Sequence, residues 1–352
     1  MSAFSIHKDA TPEWIKGLAR KGPVFFPQRA GRSAFRFKPV QPHSELQFES
    51  YHPTLVPPGK KLTPADETLF RYRRNDAGAI EFEPVLDTGT RILAGVRPCD
   101  LKAIDLMDRV HREHHGDPHY LTRRNHTTLI AIDCLRPCDE SCYCAAVGSL
   151  GWRRNADVFL TPVDAVFLVE VLSERGMELV HGNDFTACTQ TRVEEYRDRA
   201  ERQRPHPFGR QFAIPLPHLP ALLARQWQSP VWERHVQHCF SCGSCNLVCP
   251  TCYCFDTRDD FEISDPNRGS RSQTWDACML PGFAEVAGGH NFRPLPAARQ
   301  RHRVKRKFEY LPQRFQEPSF CVGCGRCTRQ CTASIDLFTI VNDLAQQGGE
   351  RA

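Results

Sequence analysis

Two four-cysteine runs limit what this chain can fold into. Cys239-x2-Cys242-x2-Cys245-x3-Cys249 is followed by Pro250, and Cys321-x2-Cys324-x2-Cys327-x3-Cys331 repeats the spacing with Thr332 in place of the proline. A run of this kind curls so that three thiolates reach three irons of one 4Fe–4S cube, while its fourth cysteine serves the cube of the other run. The spacing therefore groups Cys239, Cys242, Cys245 and Cys331 as ligands of one cube, and Cys321, Cys324, Cys327 and Cys249 as ligands of a second. Paired cysteines also hold zinc. Two copies of a four-cysteine run, without histidines at finger spacing, favour cubes.

The wider composition agrees with metal rather than disulfides. Seventeen cysteines in 352 residues is an odd number and more than packing needs, yet below the share that marks a disulfide scaffold. The N-terminus, MSAFSIHKDATPEWIKG, lacks the apolar stretch of a secretory signal, so a cytoplasmic location is expected. The most apolar stretch, from Val163 to Leu172, is interrupted by Asp164 and Glu170, so no membrane span is expected. A formal net charge of +5 does not by itself call for nucleic acid.

Boundary chemistry divides the chain into an α/β domain over 1–225 and a second domain over 226–352. In the first, Thr11-Pro12-Glu13 predicts a helix start and Gly22 a stop. Arg91–Arg97 reads as a strand that turns at Pro98 and Cys99 into a helix carrying Leu101, Ile104, Met107 and Val110, with Asp100 in a capping position. Thr127–Asp133 reads as a second strand ending at Cys134. Thr161-Pro162 predicts a helix through Leu172, with Met177–Val180 as another strand. Ligands collect at the carboxyl ends of strands in open α/β sheets, so Cys99 and Cys134 could face one site there. Cys142 and Cys144 could complete it as a third 4Fe–4S site, with Cys138 as a competing thiol. Cys138-x3-Cys142-x1-Cys144 is not the CxxxCxxC of a radical S-adenosylmethionine site.

The charged run Arg192–Arg204 predicts a helix, and the prolines from Pro205 to Pro220 read as a linker. Ser229-Pro230 opens a short helix before Cys239, and Ser334–Gln347 has apolar residues at helical spacing. The long separation of the two cysteine runs and the helical elements beside them predict an α-helical ferredoxin-like second domain. Cys252, Cys254 and Cys278 are surplus to two cubes and read first as buried small side chains, with ligand exchange or another site as the alternative. Cys188 stands alone.

Neither GxGxxG nor GxxxxGK[ST] occurs, so flavin and nicotinamide are expected on a partner. His111, His114, His115 and His119 crowd one segment without HExxH and read as solvated helix-end residues. The basic stretch Arg299–Lys307 admits several uses: nucleic-acid contact, stabilisation of a reduced cluster, partner docking, or plain exposure.

Several motifs carry a family resemblance: Gly95–Ile104, Cys142-Tyr143-Cys144, Cys249–Asp256, Thr274–Cys278 and Arg301–Phe308. From about Phe70 onward the chain resembles the iron–sulfur β subunit of sulfhydrogenase-type NiFe hydrogenases and the related iron–sulfur subunit of anaerobic sulfite reductases. The resemblance implies a non-catalytic electron-transfer subunit with no catalytic residues of its own. It implies partners as well: a flavin/NAD(P)H-binding diaphorase subunit on one side and a NiFe hydrogenase small subunit, or sulfite reductase subunits, on the other. Membrane and nucleic acid are not expected partners. A structural or nucleic-acid-associated iron–sulfur protein is the reading from another class.

Overall fold

The computed structural model describes residues 2–349, apart from 50, 52 and 183. Its strands in chain order are β1 Ser2–His7, β2 Val24–Arg29, β3 Phe35–Pro39, β4 Asp66–Arg74, β5 Ile80–Pro84 and β6 Arg91–Val96. They continue with β7 Thr127–Ile132, β8 Val158–Val163, β9 Val166–Val171, β10 Thr186–Ala187, β11 Phe255–Glu262 and β12 Asp265–Trp275. Ten strands belong to the first segment and form an α/β arrangement with their helices, as expected. The larger sheet has eight strands in the order β10-β1-β9-β8-β7-β6-β2-β3. Its central strands β6, β7 and β8 run parallel. They are built from continuous apolar residues, and Leu93, Ala94, Leu129, Ile130 and Phe159 are buried, as strands covered on both faces require.

Parallel pairing brings the carboxyl ends of β6 and β7 to one edge. β6 turns at Arg97 into the helix Pro98–Arg112, whose first turn holds Cys99. β7 ends just before Asp133 and Cys134. Asp100 is not the cap expected of it: Arg97 occupies the N-cap position, without a side-chain cap bond.

The helix expected over Thr161–Leu172 is instead the β8–β9 hairpin, turned at Asp164 with a φ of 48°. β-branched and aromatic residues (Val163, Val166, Phe167, Val169, Val171) suit a pleated, buried strand better than a helix. Met177–Val180 is likewise not a strand, for Glu174–Met177 is one helical turn. The helices expected from Thr11, over Arg192–Arg204, after Ser229-Pro230 and over Ser334–Gln347 are found as Thr11–Gly17, Gln190–Arg202, Val231–Arg234 and Leu337–Gly349.

The second segment holds two longer helices, Pro296–Lys305 and Leu337–Gly349, among short turns, and contains the long hairpin β11–β12, which the helical expectation does not include. β12 pairs with β4 and β4 with β5, giving a second sheet of four strands in the order β11-β12-β4-β5. Residues 66–84 thus pair across the boundary drawn at 225. Apolar cores cross it too: Leu311, Phe320 and Val322 pack with Leu93, Leu101 and Leu129, while Tyr143 and Val147 pack with Val304, Phe308 and Leu337.

Candidate metal centre

The two cysteine runs fold alike. Each bends at a left-handed glycine, Gly243 at φ 75° and Gly325 at φ 70°, and then makes one helical turn, Ser244–Leu247 or Arg326–Arg329. Glycine is needed at both points. A Cβ on Gly243 would lie 2.8 Å from that of Ala277, and one on Gly325 would lie 2.8 Å from Ser141, over and above the left-handed penalty.

The fourth cysteine of each run stands with the other run. Cys239, Cys242, Cys245 and Cys331 line one cavity. Cys249 lies within electrostatic reach of Cys321 and Cys324. These thiols are buried to different depths: Cys242 is exposed, whereas Cys324 is buried. Burial pushes Cys245 up to about 11 against the opposing charge of Arg303, and pushes Cys321 up to about 12. Thiols in that state ligate only by losing their protons to a metal. Among the described residues no three His, Cys, Asp or Glu side chains come together closely enough to hold a single ion.

The first-segment cysteines also gather. Cys138 stands between Cys134 and Cys142, close enough for its thiol to act strongly on both. The thiol that acts most strongly on Cys144 is Cys138, whereas for Cys99 it is Cys324. The connection from β7 to β8 that carries Cys138, Cys142 and Cys144 lies on the second run. Tyr143 N–H donates to the Gly323 carbonyl at 2.9 Å, and the Cys142 Sγ lies 3.8 Å from the Cys324 carbonyl oxygen. The Tyr143 hydroxyl reaches the Cys321 Sγ at 3.0 Å. Cys188, by contrast, lies near the Thr186 carbonyl, at the edge of the large sheet.

Three donors fit an anionic, sulfur-rich group among these cysteines. Gln300 Nε2, Arg303 Nε and Arg97 Nε are buried and have no hydrogen-bond partner. Gln300 and Arg303 line the cavity of Cys239, Cys242, Cys245 and Cys331, while Arg97 lines that of Cys134 and Cys138. A buried donor without an acceptor is costly, and cluster sulfides or ligating thiolates would satisfy all three. The stretch Arg299–Lys307 is therefore no exposed basic face. Arg299, Arg303, Lys305 and Lys307 are all buried on the helix Pro296–Lys305 and the π segment Arg306–Tyr310 that continues it. The near-continuous charge of that stretch did not reveal its burial; only the neighbouring cysteines could have suggested it. In the π segment Leu311 N–H bonds back to the Arg306 carbonyl, and the Lys307 carbonyl accepts from Phe320 N–H at 2.9 Å. That bond docks the approach to Cys321 on the helix.

Two of the crowded histidines have structural partners, while His114 and His115 are exposed. His111 bonds to Asp117 at 3.0 Å and stacks on Tyr120, and His119 lies beside Glu67.

Residues 238–335 match the family model described as the 4Fe-4S dicluster domain. Over 349 residues the chain is 30% identical to the sulfhydrogenase 2 subunit beta of Pyrococcus furiosus, an alignment that covers 98% of this chain and 99% of that protein. The chain belongs to the sulfhydrogenase β-subunit family. No solved structure matches it. As a sulfhydrogenase-type β subunit it is an iron–sulfur electron-transfer protein, and both cysteine runs lie inside the matched dicluster span. The first-segment cysteines lie outside that span but inside the longer alignment. Among the described residues no helix is long and apolar enough to cross a membrane.

Proposed function

We propose that this chain relays electrons inside a hydrogenase complex, between a flavin subunit that handles NAD(P)H and the small subunit of a NiFe hydrogenase. Cys239, Cys242, Cys245 and Cys331 hold one 4Fe–4S cube; Cys321, Cys324, Cys327 and Cys249 hold the other. The single observation that carries this reading is the crossed arrangement, in which Cys331 lines the cavity of the first run's three leading cysteines. When bound, a cube of this kind takes up and gives back one electron at a time.

The protein's own residues set the conditions for that exchange. Buried Arg303 and Lys307 place positive charge beside Cys245 and Cys249, which favours the more negative, reduced state. The Tyr143 hydroxyl does the same for Cys321 by donating to its sulfur. Exposed Cys242 and Phe240 bring the first site to the surface, where a partner's redox centre can approach.

A third 4Fe–4S site belongs to the reading. Its ligands are Cys134, Cys138, Cys142 and Cys144, which revises the set Cys99, Cys134, Cys142 and Cys144. Cys138 touches both Cys134 and Cys142, whereas Cys99 is packed in the apolar core beside Cys324.

Anaerobic purification, with iron and acid-labile sulfide determination and EPR of the reduced protein, tests this. About eight irons per chain are expected from the two cubes and about twelve with the third. A colourless protein containing zinc and no sulfide would overturn the reading. Co-purification with flavin-containing and NiFe-containing partners tests the assembly.

A further inference from the structure

The cavity beside the two runs is lined by three cysteines that the dicluster assignment leaves unused. Cys252, Cys254 and Cys278 share its wall with Asn246, Arg303 and Lys307, and its volume is about 250 Å³, several times the ~30 Å³ of one water. Cys252 and Cys254 are two residues apart, and the β11–β12 hairpin brings Cys278 back to them. Phe255 pairs with Trp275, and Asp276 N–H donates to the Cys254 carbonyl at 3.0 Å. Cys254 and Cys278 thereby come together at the hairpin's open end, where each thiol acts strongly on the other.

Asn246 gathers the sulfurs. Its Nδ2 donates to the Cys278 Sγ at 3.2 Å and the Cys252 Sγ at 3.5 Å, and its side chain is buried. Cys252 N–H in turn donates to the carbonyl of Cys249 at 3.3 Å, a proposed ligand of the second cube.

The wall facing these sulfurs is basic. Lys307 donates to the Thr251 carbonyl at 2.8 Å and its hydroxyl at 2.6 Å. Arg303 reaches the Cys245 carbonyl at 3.5 Å while its Nε has no partner. Lys60 stands behind Cys252, donating to the Cys252 carbonyl at 2.7 Å and lying over the Trp275 ring. The hydrogen-bond acceptors of these three side chains are neutral, and the charges that Arg303 and Lys307 answer belong to cysteines on both sides, Cys245 and Cys249 of the runs and Cys252 of this cavity.

We propose that Cys252, Cys254 and Cys278 ligate a further 4Fe–4S cluster in this cavity, with Arg303 and Lys307 as its counter-charges. The three thiolates hold three of its irons, and the fourth faces the open side of the cavity. This goes beyond the dicluster reading.

The test compares the full chain with Cys254→Ala/Cys278→Ala, both prepared anaerobically and reconstituted with iron and sulfide. The double variant should lose about four irons and four sulfides per chain while the EPR signals of the two dicluster cubes persist. Unchanged iron and sulfide content would overturn the proposal. If the double variant does not fold, the wild-type chain decides by thiol alkylation and mass spectrometry. Cys252, Cys254 and Cys278 should be protected in the iron-loaded protein and labelled after chelation; labelling with iron still in place would overturn the proposal. Absence of iron from the dicluster runs, read from labelling of Cys242 and Cys324, would instead count against the dicluster reading.

Discussion

Asp100 and Arg326 form a buried bidentate ion pair, Oδ1 to Nη1 at 2.6 Å and Oδ2 to Nη2 at 2.8 Å. Asp100 follows Cys99 at the start of the first segment's helix, and Arg326 lies between Cys324 and Cys327 in the second run. Arg326 also donates to the Thr54 carbonyl at 2.7 Å. Burial opposes its charge, but Asp100 and the Cys324 thiol more than restore it. Breaking such a pair leaves one charge buried alone, a cost of about 3–5 kcal/mol. Arg326→Met should therefore lower the unfolding temperature and the iron content together. Asp100→Leu/Arg326→Met should recover part of the thermal stability, as measured by unfolding under anaerobic conditions.

That pair also shows where sequence reading stopped. Asp100 after Pro98 looks like a helix cap because local spacing carries no information about a partner 226 residues away. The strands β6 and β7 were legible because buried parallel strands are continuous apolar runs. Thr161–Leu172 was misread because Thr-Pro imitates a helix start, while the valine-rich content that favours the hairpin was outweighed. The nearness of Cys331 to Cys239, Cys242 and Cys245 was legible because the run's spacing calls for it. By contrast, the burial of Arg303 and Lys307 depends on cysteines in distant segments. The pairing of β4 with β12 joins residues whose alternation shows no common partner, so the boundary at 225 hid a shared sheet.

Gly323 holds the first segment against the second run. Its φ is 64°, and an added Cβ would lie 2.6 Å from the backbone of Tyr143 and Cys144. Gly323→Ala should displace the loop that carries Cys142 and Cys144. Left-handed strain alone costs about 1–2 kcal/mol, and the collision adds to it. The expected outcome is a lower unfolding temperature with altered EPR of the second cube, while Gly31→Ala, where the added Cβ meets nothing within 4 Å, should leave that spectrum unchanged.

Removing a buried positive charge should make the nearby cubes harder to reduce. Lys307 lies beside Cys249, Cys252 and Cys321, and the reduced form of a thiolate-bound cube is the more negative one. Lys307→Met should shift the midpoint potential downward, on the order of tens of mV. Potentiometric EPR titration reads the shift. Lys21→Met, at a side chain that bonds to the Glu178 carbonyl rather than facing a cysteine, should not reproduce it.

Asp117 supplies an acid-sensitive contact. It caps the helix Pro118–Asn125 by accepting from His119 and Tyr120 N–H, and it bonds to His111. Burial raises its carboxyl, but those hydrogen bonds and the His111 charge more than offset this and hold it below the ordinary 3.8. The unfolded chain therefore takes up the proton first as pH falls. The contribution is present above about pH 4 and is lost as pH falls through the depressed folded value. Asp117→Asn should keep the cap and flatten this part of the acid limb. Asp117→Ala should also cost about 1 kcal/mol at neutral pH. Unfolding measured across the acid range checks both.

Iron removal should destabilise the chain from several places at once. Gln300, Arg303 and Arg97 each have a buried donor without a protein acceptor, and Cys245 and Cys321 regain protons when their metal leaves. Every such donor left unsatisfied costs about 1–3 kcal/mol. The cost falls on Tyr143, Phe308 and Phe320 as well, because the cores crossing residue 225 pack against the cysteine runs. Anaerobic chelation followed by thermal unfolding should give a lower and broader transition than in the iron-loaded protein. Hydrogen exchange should rise first at the turns Ser244–Leu247 and Arg326–Arg329, while the central strands Arg91–Val96 and Thr127–Ile132 stay protected. Uniform exchange across both regions would show that the metal sites do not hold the two cysteine runs in place.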